Sequence, residues 1–262
     1  MLIIIIIEKK VENLIEIIQE MWPIILLAGF FIGLDKGGFK PVSVVAMYLI
    51  SRYYSSLDML SIFAPILLLG EVYPTIHYHS DYEKKSTWKF LPWVLIGLTA
   101  GAIVGKFMNE ELIGISIAIC VLIMAVLTTW MDFHKIILPK KYEGVFTVVL
   151  GISAGIASII GSVGAAVSNV YFLNKTKTKR SFIGSSSLIY IFVNIFKVLV
   201  YFLFWGLFSK ENAYVSILMI PGIIVGIVCS VYLIKVIPEK LYRFIILLSI
   251  AYSSIAFLLL IL

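Results

Sequence analysis

Asp35, Lys36, Glu71 and Lys197 each interrupt a long apolar run. A charge among apolar neighbours is costly, so such residues face a partner, a cavity or a ligand. Lysine suits the oxygens of an anion, and Lys36 is the first candidate for that contact. The competing reading for Lys36 is a structural pair with an acid. Asp35 fits a cap on the following segment or a partner for a lysine. Glu71 is the candidate carboxylate for a coupling ion or proton. Asn194 stands one helical turn before Lys197 on the same face, where its amide could bind substrate or bridge helices.

Two glycine-rich breaks surround these residues. The first is GFFIGLDKGGFKP, Gly29 to Pro41, and the second is GISAGIASIIGSVGAAVSNVYFL, Gly151 to Leu173. In each, an apolar helix-like run meets small residues and then resumes. Glycine lets a ligand approach backbone N–H groups, and Pro41 suits the first turn of a new helix. That helix would aim its N-terminus, a partial positive charge with unpaired N–H groups, at whatever lies by the break. Gly37, Gly38, Gly161, Ser162 and Gly164 are therefore candidate anion contacts. Lys40 reads as a snorkelling or substrate-facing cation. Aligned at Gly38 and Gly164, the breaks place Glu71 and Lys197 at matching positions, each 33 residues downstream. GLDKGG is not a phosphate-binding loop, because it lacks the GK[ST] ending and a preceding strand. The glycine pairs Gly29/Gly33 and Gly151/Gly155 have the spacing of close helix packing.

Other reactive residue types carry no catalytic pattern. Cys120 and Cys229 sit singly in apolar runs and read as small hydrophobes. His77, His79 and His134 lie near the ends of spans, and HYH is a poor metal pair. The serines of FIGSSSLIY have no base in register and read as helix-packing residues. Trp22, Trp88, Trp93, Trp130 and Trp205 suit an interfacial belt. No catalytic residue, metal site or cofactor is expected, and no enzyme.

The elements that position these residues must be membrane helices. Of the 262 residues, 61% are hydrophobic and only 14% charged, against about 25% charged in a soluble domain. Mean hydropathy is +1.06. The net charge of +6 is spread over short loops, so it reads as orientation charge rather than a nucleic-acid surface. Full spans are expected at 57–77, 88–108, 112–130, 183–205, 214–234 and 241–261. Loops 78–89, 131–143, 174–182 and 235–243 are rich in Lys and Arg, whereas 51–56, 106–111 and 209–213 hold one basic residue each. The rich loops should be cytoplasmic. Loops 131–143 and 174–182 then share a side, so the broken region between them must return as a hairpin. The first arm of the other break, 22–33, reaches only about 18 Å at helical rise, too short to cross.

The expected architecture is all-α and polytopic. Two inverted repeats each comprise a broken re-entrant helical hairpin and three transmembrane helices. Residues 1–20 read as an interfacial segment without a signal peptide, 21–130 as the first repeat, 131–143 as a cytoplasmic linker and 144–262 as the second repeat, forming one integrated transport unit. Two hairpins from opposite faces would aim their tips at one midplane point.

These residues resemble the TauE/SafE family of sulfite and organosulfonate exporters. GLDKGGF looks like that family's first repeat motif. APILLLGEVYPTIHYHSDYEKKSTWKFLPWVLIGLTAGAIVGKFM is similar to its next block, GISAGIASIIGSVGAAVSNVYFL to its second motif, and VNIFK to its Asn-x-x-Lys. The likeness runs from about Leu27 onward. Glu71 stands where the family often has Asp, and VGAAVSN where it often has Gly-Gly or Gly-Pro. Lys40 and Pro41 replace small residues. The resemblance implies export of small sulfur-containing anions from the cell, as a multi-pass protein of a prokaryotic plasma membrane. The expected partners are a small anionic substrate, the lipid bilayer, a coupling proton or sodium ion, and a second copy in a homodimer. The alternatives are another solute in the same fold, an intramembrane enzyme and a scaffold protein.

Overall fold

A computed structural model describes residues 21–39, 42–116, 119, 142–162, 164–238, 241, 244 and 248. Lys40, Pro41, Cys120, Trp130, His134, segment 1–20 and most of spans 112–130 and 241–261 lie outside these residues. All regular structure among the described residues is helical. Helix α1 covers residues 21–37, α2 Ser43–Ser51, α3 Ser56–His77 and α4 Lys84–Lys106. A turn of helix at 110–116 is α5. Then come α6 Glu143–Gly161, α7 Gly164–Lys175, α8 Lys179–Leu199 and α9 Lys210–Val236. Helix α8 runs directly into a π-helical turn, Val200–Phe204. Among the described residues, helices α3, α4, α6, α9 and α8 with its π turn are long and apolar enough to cross a membrane.

Local chemistry explains several boundaries. Ser55 caps α3 by accepting from Asp58 N, and Thr178 caps α8 by accepting from Ser181 N. Pro65, Pro74, Pro92 and Pro221 lie inside helices, which neighbouring membrane helices tolerate by re-satisfying freed backbone groups. Helix α1 is longer than its expected arm of 22–33 and carries Asp35 and Lys36 in its last turn. Neither residue breaks a helix, and their charges are met by other side chains. The break waits for Gly38, whose φ of 137° a side chain would resist.

Close backbone packing joins the helices. Gly29 and Gly33 press on α9 at Met219 and Ile223, while Gly222 and Gly226 press back on α1. Gly97 of α4 meets Ile152 of α6, and Gly151 and Gly155 meet Trp93 and Val94. Any Cβ at Gly155 or Gly226 would run into the facing backbone. This is the small-residue packing that membrane helices use in place of a hydrophobic driving force.

The order of contacts sets direction. Gly29, Gly33 and Gly37 meet Met219, Ile223 and Ser230 in step, so α1 and α9 run parallel. Gly97, Gly101 and Gly105 meet Ile152, Ile156 and Ile160, so α4 and α6 run parallel too. Asp58 and Ile62 meet Asn212 and Ser216, which makes α3 parallel to α9. Leu67, Thr75 and Tyr78 meet Asn194, Ser187 and Gly184, which makes α3 antiparallel to α8. Glu83 and Trp88 meet Ser185 and Phe192, so α4 runs with α8. Helices α1, α3 and α9 therefore run one way and α4, α6 and α8 the other.

The loops gather at two ends. At one, Arg180 pairs with Asp81 at 3.0 Å, Lys179 donates to Ile237 O at 2.7 Å, and Lys175 pairs with Glu143 at 2.8 Å. There burial raises the Tyr78 phenol above its ordinary pKa, so it stays neutral beneath the Arg180 guanidinium, 5.5 Å from its ring. At the other, Ser56 N donates to Glu110 at 3.1 Å and Asn212 to Asp58 at 2.8 Å. Loops rich in lysine and arginine meet at the first end and poor ones at the second. The Lys175–Glu143 pair also brings the end of α7 back to the start of α6. So α6 and α7 form a hairpin, although α6 alone has the length to cross.

Candidate functional site

The two breaks and the middle of α8 come together. Lys36, buried in the last turn of α1, donates to the Glu71 carboxylate of α3, and Asp35 lies 3.6 Å from its Nζ. Lys36 and Glu71 are 5% and 0% exposed. Lys36 thus has an acid beside it, the second of the two readings the sequence left open. A pair this deep balances desolvation against attraction and is poor in net stability. Losing either partner, however, would strand a charge.

Lys197 differs. It is 2% exposed, and its ammonium donates to Ser162 Oγ at 2.6 Å. No carboxylate among the described residues lies within ion-pair distance of it. The Lys197 Nζ stands 5.9 Å from the Tyr201 ring, and Tyr201 OH donates to Ile159 O. Ser162 is the αL residue that ends α6, with φ 56° and ψ 14°, a conformation that costs a residue with a Cβ. The π turn begins three residues after Lys197, and such distortions collect at functional positions.

The remaining expected residues divide by role. Asn194 Nδ2 donates to Leu67 O at 3.2 Å and so bridges α8 to α3. Gly37 packs on Ser230, and Gly38 makes the turn beneath Ile183 and Ile234. Gly161 is buried as the last residue of α6. Gly164 opens α7 hard against Ser158 and Ala154 O. Asp35 Oδ1 accepts from Ser43 N, the first residue of α2, at 3.5 Å. The N-terminus of α2 is therefore faced by a carboxylate of the same chain. At α7 the residue in the matching place, three before the break glycine, is Gly161.

Several residues that sequence reading passed over belong here. Tyr190 lies with its ring 5.8 Å from Lys36 Nζ and donates through its hydroxyl to Ser168 Oγ of α7 at 2.9 Å. It touches α1 and α7. Its spacing was a usable signal, because Tyr190, Asn194 and Lys197 share one helical face. Ser158 stands one turn before Ser162 on α6. Ser158 Oγ and both polar atoms of Asn169 are buried without a hydrogen-bond partner, and these are the described side-chain atoms in that condition. All three are on the second hairpin.

The serines of α8 hold helices together. Ser185 accepts from Glu83 N at 2.9 Å, Ser186 donates to Ile183 O, and Ser187 O accepts from Thr75. His79 contacts Ile76 O and His77 stacks on Tyr73. Trp22 and Trp88 are exposed, whereas Trp93 and Trp205 pack on Gly151 and Gly105.

Among known proteins, a family model described as sulfite exporter TauE/SafE matches residues 23–257. No curated protein and no solved structure matches the chain.

Proposed function

Because the chain belongs to the sulfite exporter TauE/SafE family of membrane transporters, we propose that it is a secondary transporter exporting sulfite, sulfonates or similar small sulfur-containing anions across the cell membrane. The observation that carries this reading is Lys197. A lysine buried beside the second break, with a serine hydroxyl and no carboxylate among the described residues at its ammonium, has room for a counter-charge that an anion can supply.

Alternating access about a midplane site is the mechanism this arrangement favours. The Lys36–Glu71 and Ser162–Lys197 contacts each join residues 35 apart. Helices α1 and α6 run in opposite directions, and each packs in parallel on the second span of the other half. These features support inverted repeats at 21–130 and 144–262. The Glu143–Lys175 pair supports re-entrance of the second hairpin. The tips converge on Tyr190, so rocking one half against the other would move both around a common point. Glu71 is the coupling carboxylate in this reading, because protonation there would release Lys36.

The test is transport of labelled sulfite, thiosulfate, a small sulfonate and sulfate into proteoliposomes under imposed pH and sodium gradients. Saturable movement of at least one sulfur anion, lost in Lys197→Met, is expected; no transport under any gradient would reject the reading. Glu71→Gln should abolish the response to a pH gradient, and an unchanged response would remove Glu71 from the coupling step.

A further inference from the structure

The two breaks align in sequence and are opposite in chemical saturation. In the first, the lysine has Glu71, and the start of α2 has Asp35. In the second, the matching place of Asp35 is a glycine, and Lys197 has, among the described residues, a hydroxyl and no carboxylate. The buried hydroxyl of Ser158 makes no hydrogen bond of good geometry, interacting only with the Tyr190 hydroxyl, and it lies against Gly164, the first residue of α7. No side chain among the described residues caps that first turn. Five residues on, the Asn169 amide is 1% exposed with neither its donor nor its acceptor met. Its matching residue in the first hairpin is Ser43.

Buried polar groups are rarely left unmet, because each forfeits its hydration. Here the unmet groups and the cation without a described carboxylate fall on one hairpin and its adjoining span, with Ser158 against the first residue of a 12-residue helix and Asn169 in that helix's second turn. Building on the transporter reading above, we propose that the anion is bound asymmetrically: the tip of the second hairpin, with Ser158, Asn169, Lys197 and the first turn of α7, holds one small oxyanion of single negative charge. Asp35 occupies the corresponding place at α2 as a built-in anion. A Cβ at Gly164 would fall on Ser158 Oγ, so glycine there keeps the hydroxyl and the helix end open to the ligand. Single charge follows from the count of cations. Lys36 is already matched by Glu71, leaving Lys197 alone to neutralise the ligand, and Asp35 and Glu71 nearby would repel a dianion.

Binding of labelled methanesulfonate, a monoanion at all accessible pH, to the full chain in lipid nanodiscs tests this. One anion per chain is expected, with sulfate a competitor at least tenfold weaker. Ser158→Ala and Asn169→Ala should each weaken binding about tenfold, the worth of one hydrogen bond to a charged group. Asn169→Asp, close to isosteric, should abolish it, while Ser43→Ala should leave it within twofold. Thermal melts of each variant separate loss of binding from loss of fold. Two anions per chain, full binding by Asn169→Asp, or equal weakening by Ser43→Ala and Asn169→Ala would each overturn the asymmetric site while leaving an anion transporter standing. Failure to bind methanesulfonate, together with no transport of any sulfur anion in proteoliposomes, would overturn both.

Discussion

At Lys197 the chain carries the cost of a buried ammonium whose described hydrogen-bond partner is one hydroxyl. Replacing it with methionine removes that cost along with the ligand contact. Lys197→Met should therefore cut anion binding about 100-fold, the worth of a strong charged hydrogen bond, while the thermal midpoint holds or rises. A midpoint that falls with binding intact would assign Lys197 to structure alone. Lys36 predicts the opposite pattern. Lys36→Met leaves Glu71 buried beside Asp35 and should destabilise the protein by about 3–5 kcal/mol. The double variant Lys36→Met/Glu71→Leu should recover most of that loss in a thermal melt, without recovering transport. Both lysines looked alike in the sequence as charges in apolar runs. The difference between them is a carboxylate 35 residues away, which no local pattern reports.

At the scale of elements, glycine faces decide assembly. Gly155 and Gly226 meet backbone, which cannot step aside as a side-chain tip can. Gly155→Val and Gly226→Val should each lower the yield of folded protein on size-exclusion chromatography and cost at least about 1–3 kcal/mol, the range for overpacking a tight interface. Gly144, with nothing near its Cβ position, should accept alanine with no loss. The Lys175–Glu143 pair has partly exposed side chains, so Lys175→Ala should leave the thermal midpoint unchanged, because solvent screens surface ion pairs. The spacing of Gly29/Gly33 and Gly151/Gly155 announced these contacts. The partners did not follow from spacing, since α1 packs on α9 and α6 on α4, across the halves of the chain. The length of α1 was also misjudged. Asp35 and Lys36 suggested a break, yet a helix carries charges readily when they find partners, and the turn waited for Gly38.

For the molecule as a whole, the loops group by basic content at two ends of the helix bundle. Reporter fusions at 51–56 and 174–182 should report opposite sides of the membrane, with 174–182 cytoplasmic. The same side for both would break the link between charge and topology. Helices α1, α3 and α9 run against α4, α6 and α8, and Tyr190 brings Lys36 of α1 and Ser168 of α7 to one side chain.

Composition and periodicity alone determined that this chain is a bundle of membrane helices with two glycine-rich breaks, because lipid demands long apolar runs and leaves charges conspicuous. They also singled out Asp35, Lys36, Glu71 and Lys197 as charges inside apolar runs. Only the tertiary structure decided that Lys36 meets a carboxylate while Lys197 meets none among the described residues, that Tyr190 touches α1 and α7, and that the described buried atoms without hydrogen bonds lie on α6 and α7. Saturation of a buried polar group depends on atoms brought from distant parts of the chain, and that proximity is a property of packing.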